Sequence, residues 1–195
     1  MLIIFSTWVF AYALGSIPFG VLFARTQNID LRAHGSKNIG ATNVARLIGK
    51  KAGALTLLGD TFKGWLGVAI VSLVSNDPFT VAGAGIMVFL GHLFSFFLKF
   101  KGGRGVATGL GVHLYMMPTQ TLGAVAVFFF TLLVSKYISL SSIIASIALP
   151  IFGIFFDTPI FYKYMSLVIA ILIVSKHYEN ICRIATGTEP HFFKK

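Results

Sequence analysis

The feature that most constrains this chain is a series of apolar runs, each long enough to cross a lipid bilayer. Leu2 to Ala24 is the first, and Gly53 to Val74 and Phe79 to Leu98 follow it. A transmembrane helix needs about 20 consecutive apolar residues, and only a helix satisfies its own backbone where no water is present. These runs therefore predict an all-α integral membrane protein.

The composition agrees with this prediction. Hydrophobic residues make up 56% of the 195 residues and charged residues only 11%, whereas a soluble domain carries roughly 25% charged residues. We predict a single membrane domain over residues 1–195, so that any site lies within the helix bundle or at its surface. The net charge of +10 comes mostly from short loops beside apolar runs, which topology and anionic lipid or substrate explain better than nucleic acid.

We predict seven transmembrane helices, some of them short or broken. Pro118 splits the run from Val106 to Val134, and treating this run as one crossing would place Lys136 and the basic tail outside. Basic loops favour the cytoplasm, so two crossings are the better interpretation. The predicted spans are about 2–24, 53–74, 79–98, 105–117, 119–134, 139–156 and 160–175.

The distribution of basic residues predicts the orientation. With these seven spans, all but two of the 16 Lys and Arg residues lie on one side; Lys63 lies in the membrane and Lys163 on the other side. The positive-inside rule then places the amino terminus outside and the carboxyl terminus in the cytoplasm.

The loop from Asp30 to Arg46 is polar, basic and punctuated by glycine. Successive backbone N–H groups in such a turn can bind an anion, and a guanidinium can hold a phosphate in two places. A solvated loop whose basic residues only set the topology is an equally good interpretation of this loop alone. The residues that would cradle a phosphate are Ser36, Asn38, Gly40, Thr42, Asn43 and Arg46.

A second basic, glycine-rich loop runs from Lys99 to Gly105 and leads into the helix that begins near Val106. Free N–H groups and the helix dipole converge at a helix start, which favours anions. Two such loops on one face of the membrane favour the phosphate interpretation. The candidates here are Lys101, Gly102, Gly103 and Arg104.

Further polar residues lie at the cytoplasmic ends of later spans. Ser141 and Ser142 stand at the start of the sixth span and can cap the helix or donate to a phosphate. His177 and Asn180 are three residues apart and share a face if the last helix continues. By contrast, Asp60, Lys63, His92 and His113 are expected to be structural, with Asp60 and Lys63 forming an ion pair.

Together these residues predict a ring of N–H groups, hydroxyls and basic side chains at the inner membrane surface, suited to a phosphate head with an apolar tail. Carboxylates are few, no His, Cys and Asp cluster has zinc spacing, and no GxSxG motif is present. We expect no metal and no cofactor, so that catalysis would come from placing and neutralising phosphates.

The motifs, in this order and spacing, resemble those of the bacterial membrane glycerol-3-phosphate acyltransferases that use acyl-phosphate, the PlsY family. The resemblance covers essentially the whole chain. It rests on GSIPFG at 15–20, on the loop 30–46, on Asp60 with Lys63-Gly64, on Gly91-His92, on FKGGRGVAT at 100–108, on SLSS at 139–142, and on the segment from His177 to Arg183.

The resemblance implies an enzyme that moves a fatty acyl group from acyl-phosphate to the 1-hydroxyl of glycerol 3-phosphate. The products would be lysophosphatidic acid and phosphate, in the first acylation step of phospholipid biosynthesis. Acyl-CoA and acyl-carrier protein would not be direct donors. The resemblance also implies a multi-pass protein of the bacterial plasma (inner) membrane with a cytoplasmic active site, and it leaves open a contact with the soluble enzyme that makes acyl-phosphate.

The family's motifs imply roles for individual residues. His177, Asn180 and Arg46 are the catalytic candidates, and His177 is the only evident base, although a substrate phosphate could take the proton instead. The phosphate-binding candidates are Ser36, Asn38, Gly40, Thr42, Asn43, Lys101, Gly102, Gly103, Arg104, Ser141 and Ser142. The family usually has lysine at position 104; arginine keeps the charge but binds phosphate in a forked geometry.

Two other functions fit parts of the pattern. A transporter of a phosphate-bearing anion would also use basic loops and helix ends, but it should carry internal repeats and polar residues through the midplane. A magnesium-dependent phosphoalcohol transferase would need clustered aspartates, and the four here are scattered at 30, 60, 77 and 157.

Overall fold

The computed structural model describes residues 1–192, and within that range every regular element is a helix. The chain forms two compact units, the first from Met1 to Tyr115 and the second beginning at Met116. The helices are α1 (Leu2–Gly15), α2 (Phe19–Arg25), α3 (Ala41–Leu47), α4 (Lys50–Val74), α5 (Pro78–Leu93), α6 (Val106–Met116), α7 (Pro118–Ser135), α8 (Ile138–Phe155), α9 (Ile160–Lys176) and α10 (Tyr178–Ala185), with a 3₁₀ turn at Phe96–Leu98.

The predicted all-α membrane architecture is confirmed. Five segments of the described chain are long and apolar enough to cross a bilayer, and a sixth is added if α9 and α10, which meet at a bend of 55°, form one span. α6 has only 11 residues and is therefore about 16 Å long, roughly half the hydrocarbon thickness. The seven-span count, the orientation of the termini and the single domain stay predictions.

The first predicted span is broken between α1 and α2, at Ser16 to Pro18. Proline lacks an N–H group and ends the regular hydrogen bonding of α1. The carbonyl groups that the break releases are satisfied by side chains from elsewhere in the first unit: Ser95 Oγ donates to the carbonyl of Ser16 at 2.5 Å, and Lys63 Nζ donates to that of Ile17 at 2.6 Å. A broken helix is tolerated at membrane depth when neighbouring groups replace its lost bonds in this way.

Small residues let α1 approach α5 closely in the first unit. A Cβ added to Gly15 would overlap the backbone of Val88, and one added to Gly91 would overlap the carbonyl oxygen of Tyr12. Trp8 Nε1 donates to the carbonyl of Thr80 at 2.9 Å and joins the same pair near the start of α5. Helices in lipid gain little from the hydrophobic effect, so the close packing that glycine allows stabilises their contact instead.

In the second unit α8 packs between α7 and α9, and α10 lies against α8 and α9. Gln120 Nε2 donates to Thr158 Oγ1 at 2.7 Å, so that the buried amide at the start of α7 is satisfied. Large apolar side chains point outward along these helices, among them Phe130, Leu133 and Phe155. Apolar exposure on this scale is typical of a surface that faces lipid.

Candidate active site

The loop between α2 and α3 is organised by the side chain of Asn43, which is 1% exposed. Its Oδ1 accepts the backbone N–H of Ser36 at 2.9 Å. Its Nδ2 donates to the carbonyls of Asn38 at 2.8 Å and Leu31 at 3.1 Å. Gly35 has a φ of +63° and approaches Asn43 so closely that a Cβ there would overlap Oδ1. Asn43 therefore holds the loop in shape, a role that its residue type alone did not reveal.

The second loop is attached to the end of α5 by its glycines. The N–H of Gly102 donates to the carbonyl of Leu93 at 3.0 Å, and that of Gly103 donates to the carbonyl of His92 at 3.1 Å. Lys99 and Phe100 take the left-handed conformation just before this attachment, and Gly105 takes it just before α6. The loop is therefore a fixed turn rather than a flexible connection.

The two glycine-rich loops contact each other within the first unit. Arg32 Nη2 donates to the carbonyl oxygen of Lys101. Ile39, from the first loop, lies beside Gly103, from the second. Ile39 and Leu98 also belong to one buried apolar cluster beneath the loops. The two loops therefore lie side by side in this unit, and their place on the cytoplasmic face of the membrane stays a prediction.

The side chains that could bind an anion differ in exposure. Arg46, Lys101 and Thr42 are exposed, whereas Arg104 is half-buried at the start of α6. Ser36, Asn38 and Gly40 are also half-buried, and Gly103 is buried. Two of the three positive charges, on Arg46 and Lys101, are therefore exposed to an incoming anion, and the third, on Arg104, is partly covered.

A buried charged cluster lies next to the second loop. Lys63 Nζ is 2.7 Å from Asp60 Oδ1, which is the predicted ion pair, and both residues are 2% exposed. His92 Nδ1 lies 3.6 Å from the same carboxylate oxygen. His92 therefore touches both the ion pair and the loop, a link between α4 and α5 that the sequence analysis did not anticipate.

In the second unit the carboxylate of Glu189 accepts hydrogen bonds from three polar side chains. The sequence analysis did not identify this residue. Glu189 Oε1 accepts from Ser139 Oγ and from Asn180 Nδ2, both at 2.6 Å. Glu189 Oε2 accepts from Arg183 Nε at 2.7 Å. These bonds fix the amide of Asn180 so that its Oδ1, buried and with no hydrogen-bond partner among the described residues, can accept from a ligand. The available signal was an acidic residue in a basic tail, where Glu179 and Glu189 are the two carboxylates.

His177 occupies the break between α9 and α10, so the last helix bends at this residue instead of continuing straight. Its Nδ1 is 2.8 Å from the carbonyl of Ile173. A carbonyl only accepts, so Nδ1 carries the hydrogen and Nε2 is the basic nitrogen of the neutral ring. His177 and Asn180 are both 3% exposed.

Ser141 and Ser142 turn their hydroxyl hydrogens toward their own helix. Ser141 Oγ donates to the carbonyl of Tyr137 at 2.8 Å, and Ser142 Oγ donates to that of Ile138 at 2.9 Å. Each hydroxyl oxygen can still accept, and it can donate to a phosphate only after rotating. Among residues 1–192, no group of three or more His, Cys, Asp or Glu residues could hold a metal ion. The ring that would join these residues to the paired loops stays a prediction.

The chain is similar to a family model and to several known proteins. Residues 5–187 match the family model described as glycerol-3-phosphate acyltransferase. The glycerol-3-phosphate acyltransferase of Geobacter sulfurreducens is 49% identical over 93% of this chain and 94% of its own length. That of Geotalea daltonii is 46% identical, with the same two coverages.

Two solved structures are also similar. The crystal structure of PlsY, an integral membrane glycerol 3-phosphate acyltransferase, in its glycerol 3-phosphate form, has a TM-score of 0.94 and 39% identity over 97% of this chain and 95% of that one. Its lysophosphatidic acid form has a TM-score of 0.91 and 38% identity, over 96% and 94%. Family model, relatives and structures agree over nearly the full length, and the chain therefore belongs to the glycerol-3-phosphate acyltransferase family.

Proposed function

We propose that this protein transfers a fatty acyl group from acyl-phosphate to the 1-hydroxyl of glycerol 3-phosphate, at the cytoplasmic face of a bacterial plasma membrane. The products are lysophosphatidic acid and inorganic phosphate. The observation that carries the proposal is the contact of the two glycine-rich loops, joined by Arg32 and Lys101. The solved relatives with glycerol 3-phosphate and lysophosphatidic acid support the same acceptor and product.

Both substrates carry a phosphate, and the paired loops provide positive charge and hydrogen-bond donors that can bind it. Arg46, Lys101 and Arg104 neutralise the negative charges, because guanidinium and ammonium groups form strong, charge-assisted bonds to phosphate oxygens. Ser36, Asn38, Gly40 and Thr42 contribute hydroxyls, an amide and backbone N–H groups. Asn43 acts indirectly, since its side chain is used in holding Ser36 and Asn38 in place.

The chemistry requires no covalent enzyme intermediate. In acyl-phosphate the carbonyl carbon is bonded to an oxygen of a good leaving group, so the 1-hydroxyl oxygen attacks that carbon directly. The bond from carbon to the phosphate oxygen then breaks, phosphate leaves with the electron pair, and the hydroxyl proton passes to a base. Cationic groups around the leaving phosphate favour this step, because they stabilise the charge that develops on it.

Two groups can receive the proton. Nε2 of His177 is the basic nitrogen of a ring whose Nδ1 donates to the carbonyl of Ile173. A phosphate oxygen of the substrate can also receive it, in which case His177 orients the reacting groups. Asn180 Oδ1 supports the acceptor hydroxyl, since Glu189 keeps the amide turned so that its oxygen can accept.

The donor is the part of the proposal that an experiment should test first. Purified protein in detergent is given palmitoyl-phosphate with and without glycerol 3-phosphate, and both phosphate release and lysophosphatidic acid are measured. We expect both products only when both substrates are present, and no product when palmitoyl-CoA or palmitoyl-acyl-carrier protein replaces palmitoyl-phosphate. Turnover with either of those donors, or none with palmitoyl-phosphate by protein that stays folded, would overturn the proposal.

Arg46→Ala and Arg25→Ala form a matched pair for the same assay, because both arginines are exposed and belong to the first unit. Loss of a hydrogen bond to a charged group costs about 1.5–3 kcal/mol, so Arg46→Ala should raise KM for glycerol 3-phosphate roughly 10- to 100-fold. Arg25→Ala should leave KM unchanged. Wild-type kinetics for Arg46→Ala would remove this residue from the site.

A further inference from the structure

Lys63 is one of the largest fully buried side chains in the described chain, and three groups surround its ammonium. Asp60 Oδ1 lies at 2.7 Å, the carbonyl of Ile17 at 2.6 Å, and the ring centroid of Phe19 at 5.9 Å. The ion pair on α4 is thereby attached to the break between α1 and α2. Buried ion pairs add little stability, because desolvation offsets the attraction, so a role in fixing geometry explains this one better.

His92 connects this ion pair with the second glycine-rich loop. Its Nδ1 lies 3.6 Å from Asp60 Oδ1. Its carbonyl accepts the N–H of Gly103 at 3.1 Å. Its Nε2 occupies the space beside the same glycine, only 2.5 Å from where a Cβ would stand on Gly103. One residue therefore contacts the ion pair through one ring nitrogen and the loop through the other ring nitrogen and its backbone.

We propose that the triad Asp60–Lys63–His92 positions the loop from Lys101 to Gly105, and that His92 is a positioning residue for phosphate binding. The imidazole is a surface against which Gly103 folds, and the ion pair keeps the ring in place. Lys101 and Arg104 flank the two glycines, so a shift of this turn moves their charges relative to the substrate. This inference rests on the proposed function only in naming the phosphate as the group that the loop binds.

Gly102 and Gly103 pack against different atoms, and this difference provides a test. A Cβ on Gly103 would meet mainly the imidazole of His92, with Ile39 Cγ1 next at 3.3 Å. A Cβ on Gly102 would instead overlap the backbone carbonyls of His92 and Leu93. Truncating His92 therefore makes room for alanine at position 103 but not at position 102.

The experiment is a double-mutant cycle that measures KM for glycerol 3-phosphate and kcat. Misplacing a binding loop by about 1 Å can cost roughly 100-fold, so we expect Gly103→Ala and His92→Ala each to raise KM by roughly tenfold or more. In the His92→Ala background, Gly103→Ala should add less than about threefold, since residues that act through one contact are not additive. Gly102→Ala should keep its full effect there. Independent, additive effects at Gly103 and His92 would overturn the proposal.

Hydrogen exchange of the segment 99–105 provides a readout that needs no turnover. The amides of Gly102 and Gly103 are bonded in the wild type, so His92→Ala should speed their exchange roughly tenfold or more. His113→Ala is the control, because His113 is buried in the same unit and its Nδ1 bonds to Gly109 within α6. Unchanged exchange in His92→Ala would refute the positioning role even if the wild type turns over. Faster exchange in a protein without acyltransferase activity would refute the proposed function alone.

Discussion

At the scale of single residues, His177 shows how one bond determines what a side chain can do. Its Nδ1 donates to the carbonyl of Ile173 on the helix that it ends. That bond orients the ring and assigns the basic lone pair to Nε2. The structural role of this residue and the catalytic role that we propose for it therefore belong to different nitrogens, and a substitution can separate them.

We predict that His177→Ala lowers kcat by roughly 10² to 10⁴ with little change in KM, as expected for loss of a general base. His177→Asn is the matched variant, because its amide N–H can still bond to Ile173 but no basic nitrogen remains. Steady-state kinetics should show both variants impaired. A normal kcat for His177→Asn would mean that a substrate phosphate takes the proton and that the histidine only orients.

The environment of Glu189 makes the stability of the fold depend on pH. Burial raises the pKa of its carboxyl, but hydrogen bonds from Ser139, Asn180 and Arg183 outweigh burial and leave the pKa below its ordinary value of 4.5. The unfolded chain then binds the proton more tightly than the folded chain does. Ionised Glu189 consequently stabilises the fold above about pH 4.5, and this contribution is lost as the pH falls through the lower folded pKa.

We therefore predict that Glu189→Gln lowers Tm at pH 7 and that the difference from wild type narrows below pH 4.5. Glu179→Gln is the control, since Glu179 is exposed and pairs with Arg183 only at 3.8 Å, an arrangement worth little. Thermal melts of the three proteins across the pH range test this. A Tm difference for Glu189→Gln that is independent of pH would contradict it.

At the scale of helices, the contact of α1 with α5 depends on residues without side chains. We predict that Gly91→Ala lowers Tm, because the new methyl group would overlap the backbone of α1, and overpacking costs about 1–3 kcal/mol. Gly153→Ala in α8 is the matched control: its Cβ would meet chiefly the flexible end of Met117, at 3.1 Å. Both changes gain the same helix propensity, so equal Tm values would show that the close approach is unimportant.

A helix end or the role of a residue could be predicted from the sequence only where the residues that determine it are neighbours in the chain. Helices α7 to α9 begin and end within one residue of the apolar segments 119–134, 139–156 and 160–175, because apolar runs and prolines mark their ends. The break between α1 and α2 lies inside the single predicted span 2–24, and its position could not be predicted because the groups that satisfy it, Lys63 and Ser95, lie far along the chain. The roles of Asn43 and Glu189 depend on how the chain folds back on itself. Asn43 bonds to backbone groups 5 to 12 residues away, and Glu189 accepts from side chains 6 to 50 residues away; residue type alone predicts neither set of partners.

For the whole molecule, the charge asymmetry and the exposed apolar surface describe a multi-pass membrane protein. All but two of its Lys and Arg residues fall on one side of the predicted topology. That topology needs α6 to act as a crossing, although it has only 11 residues. A short helix can span where the bilayer thins or where protein surrounds it, so the side on which each terminus lies is a direct test of whether α6 crosses.

We predict that the carboxyl-terminal segment faces the cytoplasm and the turn between α4 and α5 faces outward. Cys182 is the only cysteine and is exposed, so the unmodified protein reports the side of the carboxyl-terminal segment. The double variant Asn76→Cys, Cys182→Ser reports the side of the turn between α4 and α5, because Asn76 is exposed in that turn. A membrane-impermeant maleimide applied to intact spheroplasts should label the Asn76→Cys protein alone, and disrupted spheroplasts should allow labelling of both. Labelling at both positions in intact spheroplasts would mean an even number of crossings with the amino terminus outside, which would contradict the seven-span topology.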